Sequence, residues 1–132
     1  MGMLENKTGM VTGGGSGIGR ATCLKFAAEG ARVLVVDIDE QQGLETVAMI
    51  EAAQGEALFQ AADVADERAV KTAIEAGIDR FGSLHVASNN AALSVGHTLL
   101  AETPADAFNT TYEVTLKGVF YCMKHQIGRA HV

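Results

Sequence analysis

Apolar positions along the chain follow two alternating patterns. Short β-branched runs at residues 9–12 (GMVT) and 32–36 (RVLVV) have the character of strands buried on both faces. The stretches between such runs repeat at helical spacing. Residues 18–29 read as a helix, with Ile18, Ala21, Thr22, Phe26 and Ala27 about a turn apart and Gly30 just past the end. Asp39 predicts an N-cap for a helix over residues 40–53, with Gly55 following it. A weaker third strand is predicted over 57–61, a helix capped by Asp66 and running to about Arg80, and a fourth strand over 84–88 (LHVAS). The last long helix is predicted from Pro104, whose fixed φ suits a first helical position, through Tyr112 and Lys117 toward Lys124.

Strand and helix alternating four times imply parallel β-α-β units with right-handed crossovers. The expected class is α/β, a doubly wound parallel sheet of about four strands with flanking helices. No internal repeat, linker or low-complexity tract interrupts it.

The chain has 132 residues, enough for one domain with a buried core. Ten basic against sixteen acidic residues give a formal net charge of −6. That balance argues against a nucleic-acid partner, which needs a basic face for the phosphates. No apolar run approaches the roughly 18–20 residues that cross a bilayer, so no membrane partner is expected. Aromatic content is 5% with no Trp, which disfavours stacking platforms for bases or sugars. Cys23 and Cys122 show no paired spacing and read as reduced, buried thiols. Residues 1–8 lack the charged-then-apolar order of a signal peptide, and a cytoplasmic location is expected.

Candidate chemistry begins with Thr12-Gly13-Gly14-Gly15-Ser16-Gly17-Ile18-Gly19, between a strand and a helix. Glycines there let the backbone turn sharply and come into contact with a diphosphate. The free N–H groups and positive end of the next helix then face its charge. Asp37 stands at the end of the second strand, 18 residues past Gly19, where a carboxylate can accept hydrogen bonds from both ribose hydroxyls of an adenosine. The lack of a Gly-Lys-Ser/Thr ending excludes the triphosphate P-loop.

With these residues the sequence resembles the short-chain dehydrogenase/reductase family, whose TGxxxGIG signature is matched from Thr12 to Gly19, and the likeness runs over residues 7–126. The resemblance implies a Rossmann-like fold, left incomplete here. It adds Asp63 and Val64, where the family holds the adenine edge. It also adds Asn89-Asn90-Ala91-Ala92, similar to the family's NNAG, in which the asparagine steadies the sheet and the backbone lies near the cofactor. Ala92 departs from the usual Gly. The implied cofactor contacts are Gly13, Gly15, Ser16, Gly17, Ile18, Gly19, Asp37, Ile38, Asp63, Val64, Asn90 and Ala91. A 2′-phosphate would be repelled by Asp37 and would want a basic neighbour, but Ser16 and Ile38 are uncharged, so NAD is expected over NADP.

The family's carbonyl chemistry implies an Asn, a Ser and a Tyr-x-x-x-Lys pair, the last three expected in elements beyond this chain. Residues 114–120 (VTLKGVF) resemble the family's VNxxGxF, and Thr115 stands at the asparagine's place. Tyr121 and Lys124 are three apart and in the wrong element to be that pair. His85, His97, His125 and His131 share no metal-ligand spacing, and Ser94 has no base at a recognisable offset. The last six residues can be encoded by ATC GGA AGA GCA CAC GTC, the string that opens a widely used sequencing adapter. The expectation is therefore residues 1–126 as the NAD-binding part of one domain and 127–132 as a non-native tail. Such a piece would leave its fourth strand at an open edge and expose Val114, Phe120 and Met123 on the last helix, giving a marginally stable, aggregation-prone chain.

The leading reading is an NAD-dependent oxidoreductase acting on a small secondary alcohol or ketone, present as its cofactor-binding part and inactive alone, with a homo-oligomeric parent. The alternative is a non-catalytic nucleotide-binding or regulatory module. A methyltransferase, which shares the Gly-rich turn and strand-two acid, is disfavoured by Thr12, the GIG ending and the Asn-Asn loop.

Overall fold

Four parallel strands in the order β3-β2-β1-β4 form the centre of the computed structural model, which describes residues 1–94 and 96–129. They are β1 (Thr8–Thr12), β2 (Arg32–Asp37), β3 (Glu56–Ala61) and β4 (Val86–Asn89). Helices α1 (Gly17–Ala28), α2 (Glu40–Ala52) and α3 (Glu67–Phe81) cross between consecutive strands. After β4 come a 3-10 turn (Leu100–Glu102), α4 (Ala105–Tyr112), a π turn (Glu113–Lys117) and α5 (Gly118–Gln126).

Alternation along the central strands divides the core in two. Val11, Val33 and Val35 face one side, where Cys23 and Ile50 from α1 and α2 cover them. Met10, Leu34 and Val36 face the other, under Val70 and Ile74 of α3 and Cys122 of α5. Strands covered on both faces need apolar residues at every position, which explains the unbroken RVLVV run.

The caps are local and follow the sequence. Asp39 accepts a hydrogen bond from Gln42 N, and Asp66 accepts from Arg68 N and Ala69 N. Gly82 ends α3 in the left-handed region at φ 84°, which a side chain would strain.

Four expectations, on the α1 face, the start of β4, Pro104 and the last helix, need correction. The buried face of α1 is Gly19 and Cys23, with Phe26 and Ala27 half-buried beyond them, whereas Ile18 and Ala21 are exposed; burial follows the i, i+4 row from Gly19. β4 starts at Val86 rather than residue 84, because pairing with β1 begins at Gly9 and Val86 while Leu84 is already core. Pro104 is an N-cap with extended ψ of 147°, one residue before the helix. The single long helix contains a π turn. Val114 packs against the core, so the exposed apolar residues are Phe108, Tyr112, Leu116, Phe120 and Met123. Of the tail expected to be foreign, residues 127–129 follow the end of α5, with Gly128 at φ 83°, and residues 130–132 lie outside the described ones.

Both cysteines are buried free thiols. Burial, and secondarily the charge of Asp37, pushes the Cys23 thiol up to about 12, and burial pushes Cys122 up to about 11. An acid whose folded value is raised favours the folded state while it stays protonated, so this contribution is complete below the unfolded value of about 8.5 and is lost as pH climbs through the folded values. The expected result is a urea midpoint that falls between about pH 8 and pH 11, with a shallower fall in Cys23→Ala, read by circular dichroism.

Candidate functional site at the carboxyl ends of the strands

The order β3-β2-β1-β4 reverses direction between β1 and β4, so the chain leaves the carboxyl ends of these two strands toward opposite faces of the sheet. Such a switch point opens a crevice that loops cannot fill. Here it is a cleft of about 560 Å³. Ten of the twelve expected contact residues line it: Gly13, Ser16, Gly17, Ile18, Asp37, Ile38, Asp63, Val64, Asn90 and Ala91. Gly15 and Gly19 stand behind that lining and shape it.

Gly17 lies at φ +52°, exposed, with open space where a side chain would go. Gly19 serves close approach instead: a Cβ there would land on the Gly13 carbonyl and against the Asn90 amide. Together they let the loop fold flat onto the first turn of α1. That turn is left uncapped, since Ser16 makes no side-chain capping bond and no acid occupies the turn. By contrast α2 and α3 have aspartate caps and an acid in the first turn. The α1 N-terminus therefore presents unneutralised donors and a positive dipole end to the cleft, suited to a diphosphate.

Asp37 supplies the opposite polarity. Its Oδ2 accepts from Gly15 N at 2.8 Å and its Oδ1 from Asp39 N at 2.9 Å. A carboxylate has about four acceptor directions, so two remain for a ligand while the group is already held. Asp63 is held in the same manner through Ala65 N at 2.9 Å. No lysine or arginine is among the lining residues. These features suit a ligand that brings a diphosphate to the α1 N-terminus and hydroxyl donors to Asp37.

The asparagine loop is stitched to β1. Asn90 Nδ2 donates to Thr12 O at 3.2 Å, and Ala91 N donates to the buried Thr12 Oγ1 at 3.0 Å. Asn89 and Gln126 exchange amide hydrogen bonds of 3.1 and 2.8 Å, tying α5 to the end of β4. Thr115 sits in the π turn, and its hydroxyl accepts from Leu93 N at 3.2 Å and donates to Leu93 O at 3.3 Å. Thr115 thus holds the loop that follows Ala92, at the end of the cleft lined by Leu93, Thr110 and Val114.

Tyr121 and Lys124 do not line the cleft. Lys124 pairs with Glu67 of α3, and the Tyr121 ring lies under the Lys117 ammonium. His85 accepts from Thr8 N at the amino end of β1, at the opposite end of the strand from the cleft. Ser94 and His97 are exposed, His125 lies 3.7 Å from Glu67, and His131 lies outside the described residues. Among the described residues no three His, Cys, Asp or Glu side chains could hold a metal together, and no helix is long and apolar enough to cross a membrane.

Sequence reasoning missed Arg20 and Thr46. Thr46 Oγ1 is buried in α2 and donates to Gly14 O at 2.8 Å. Its partner is 32 residues away, and no motif marks it.

Residues 7–129 match the family model described as short chain dehydrogenase. The 2,5-dichloro-2,5-cyclohexadiene-1,4-diol dehydrogenase of Sphingobium indicum is 42% identical over 124 residues, covering 94% of this chain and 48% of that protein. A short chain dehydrogenase from Mycobacterium avium superposes with a TM-score of 0.90 at 38% identity, covering 95% of this chain and 46% of the other. The 3-ketoacyl-(acyl-carrier-protein) reductase of Brucella melitensis, solved with NADH, gives 0.90 at 31% identity over 96% of this chain and 50% of its own. The chain spans about half the length of the curated relatives it matches. By its family match and its doubly wound, Rossmann-like sheet, the chain belongs to the short-chain dehydrogenase/reductase family of oxidoreductases.

Proposed function

We propose that residues 1–126 form the NAD-holding part of an alcohol/carbonyl oxidoreductase. The observation that carries this reading is one cleft lined by both an uncapped helix N-terminus and the anchored Asp37 carboxylate. Asp37 accepts from the adenosine ribose, and Gly13, Ser16, Gly17 and Ile18 face the diphosphate. Asp63 and Val64 flank the adenine, and Ile38 covers its outer side. Asn90 and Ala91 lie toward the nicotinamide. Gly15 and Gly19 keep the loop low.

NAD is the preferred form. A 2′-phosphate would meet the Asp37 charge with Asp63 also in the cleft and no basic residue on its wall. The NADH complex of the Brucella reductase agrees with this choice of nucleotide class. When bound, the nicotinamide supplies the hydride acceptor for oxidation of an alcohol.

The small-molecule substrate is a secondary alcohol or the matching ketone, a class consistent with the cyclic diol named for the Sphingobium relative. Thr115, at the family asparagine's position, holds the Leu93 loop against which that substrate would rest. Neither tyrosine is followed four residues later by a lysine. This chain alone is therefore expected to bind nucleotide without transferring hydride. A cytoplasmic, homo-oligomeric protein is the setting we propose for the whole enzyme.

Calorimetric titration tests the reading directly. NADH is expected to bind at least about tenfold more tightly than NADPH, the effect of one unfavourable charge contact. Equal affinities, or no binding of either, would remove it.

A further inference from the structure

The Gly14–Gly15 peptide is gripped at both ends. Its carbonyl accepts from Thr46 Oγ1 at 2.8 Å, and its N–H donates to Asp37 Oδ2 at 2.8 Å. In a trans peptide these two groups point in opposite directions, so the two side chains fix the orientation of one plane between them. Thr46 is itself oriented, because its oxygen accepts from Arg20 Nε at 3.0 Å. Arg20 is steadied in turn by Gln42 O at 3.0 Å and the Glu45 carboxylate at 3.2 Å. The result is a continuous chain of donors running in one sense: guanidinium, hydroxyl, peptide, carboxylate.

We propose that Arg20 and Thr46 are positioning residues that orient the Asp37 carboxylate through the Gly14–Gly15 peptide, and thereby set the selectivity of the cleft for a ribose with a free 2′-hydroxyl. The inference rests on the nucleotide reading given above and extends it to two residues that touch no ligand. Two observations and one physical argument support it. Thr46 is fully buried although its hydroxyl is polar, and its hydrogen bonds account for that burial. Hydrogen bonds linked in series with a charged donor at the head polarise one another, so the Gly15 N–H is a stronger donor to Asp37 than an isolated amide. Backbone bonding of Gly14 N to Val36 O at 3.1 Å fixes the preceding peptide to β2, leaving this peptide's orientation to the side chains.

The path also explains the direction of the Arg20 side chain. A cation beside a phosphate loop would ordinarily be read as a phosphate ligand. Here the guanidinium lies over α2, and all three of its hydrogen bonds go to residues of that helix. Its charge acts along the hydrogen bonds rather than on the nucleotide.

The test compares AMP with 2′-deoxy-AMP, because only the first offers Asp37 the 2′-hydroxyl. In the parent chain AMP is expected to bind about tenfold more tightly, the effect of one hydrogen bond to a charged acceptor. Thr46→Val keeps the shape and removes the donor; the preference is expected to shrink to about twofold. Thr46→Ser restores the hydroxyl and is expected to restore the preference. Arg20→Met, at a partly exposed position, is expected to give an intermediate ratio and serves if Thr46→Val does not fold. Thermal melts separate loss of structure from loss of selectivity: a purely structural Thr46 would lower the melting temperature and leave the ratio unchanged. A parental ratio in folded Thr46→Val, or in Arg20→Met where Thr46→Val does not fold, overturns the proposal. A parent that does not discriminate the two nucleotides overturns the ribose role of Asp37 first, and the proposal with it.

Discussion

Gly19→Ala is expected to weaken both the fold and NADH binding. Taken alone, the change should help, since alanine favours a helix over glycine by about 1 kcal/mol. Here the added carbon would overlap the Gly13 carbonyl and press on the Asn90 amide, both held by hydrogen bonds or backbone. Neither neighbour is the loose end of a flexible side chain, so α1 must lift from the loop. Overpacking of this sort costs about 1–3 kcal/mol, which outweighs the propensity gain. The lift also draws the α1 N–H groups from the diphosphate position, where a hydrogen bond to a charged acceptor is worth about 1.5–3 kcal/mol. We expect a lower urea midpoint and a rise in NADH dissociation constant of at least tenfold. Ala21→Gly is the control on the same helix: it is exposed, and should cost about 1 kcal/mol of stability with NADH binding retained. Unchanged NADH affinity in a folded Gly19→Ala chain would show that the loop and helix are not coupled as their packing indicates.

Asp37→Ala is expected to reverse the nucleotide preference. Two charge-assisted hydrogen bonds to the ribose would be lost, each worth about 1.5–3 kcal/mol when fully formed, so NADH should weaken by at least about 100-fold. NADPH has no 2′-hydroxyl to lose, can give up at most the 3′-hydroxyl bond, and escapes repulsion between its 2′-phosphate and the carboxylate, so its affinity should hold or improve. The substitution also frees the Gly15 and Asp39 amides. The Asp39 amide is exposed and can turn to water, but Gly15 is buried behind the cleft lining, so loss of its acceptor should cost about 1–3 kcal/mol and lower the melting temperature by roughly 5 °C or more. Parallel titrations of NADH and NADPH decide the matter. A proportional loss for both would mean that Asp37 acts as a support for the loop and does not contact the ribose.

The parts of this molecule that were legible in advance are those written in neighbouring residues. Asp39 and Asp66 cap helices whose amides lie two or three positions away, and the alternation of β2 follows from burial on both faces of the sheet. The meeting of the glycine loop and Asp37 at one cleft was legible because both stand at the carboxyl ends of strands that the strand-helix alternation marks. Ile18 misled the assignment of the α1 face because a cleft can hold an apolar side chain that packs against nothing. Thr46 looked like an ordinary polar residue inside a helix, and its meaning depends on Gly14, brought near only by the packing of α2 beside α1. The π turn had no residue type to announce it. Its hydrogen bond from Leu93 N to the Thr115 hydroxyl spans 22 residues and exists only once α4 has docked.

That π turn has a geometric consequence. Gly118, Cys122 and Gln126 are the buried residues of α5, and Val114, four positions before Gly118, packs against the same core. In an α-helix each step of four residues overshoots a full revolution by about 40°, so three such steps would wind the last of them nearly a third of the way around the axis. The wider turn at Glu113–Lys117 advances by a smaller angle per residue and takes back part of the overshoot. It works as a phase correction, keeping one contact line straight from the cleft to the end of β4. Deleting a single residue there would restore regular helix and rotate everything downstream by about 100°, turning Cys122 away from Val64 and Gln126 away from Asn89. Chain length inside the turn, more than the identity of any side chain in it, is then what the core and the Leu93 end of the cleft jointly require.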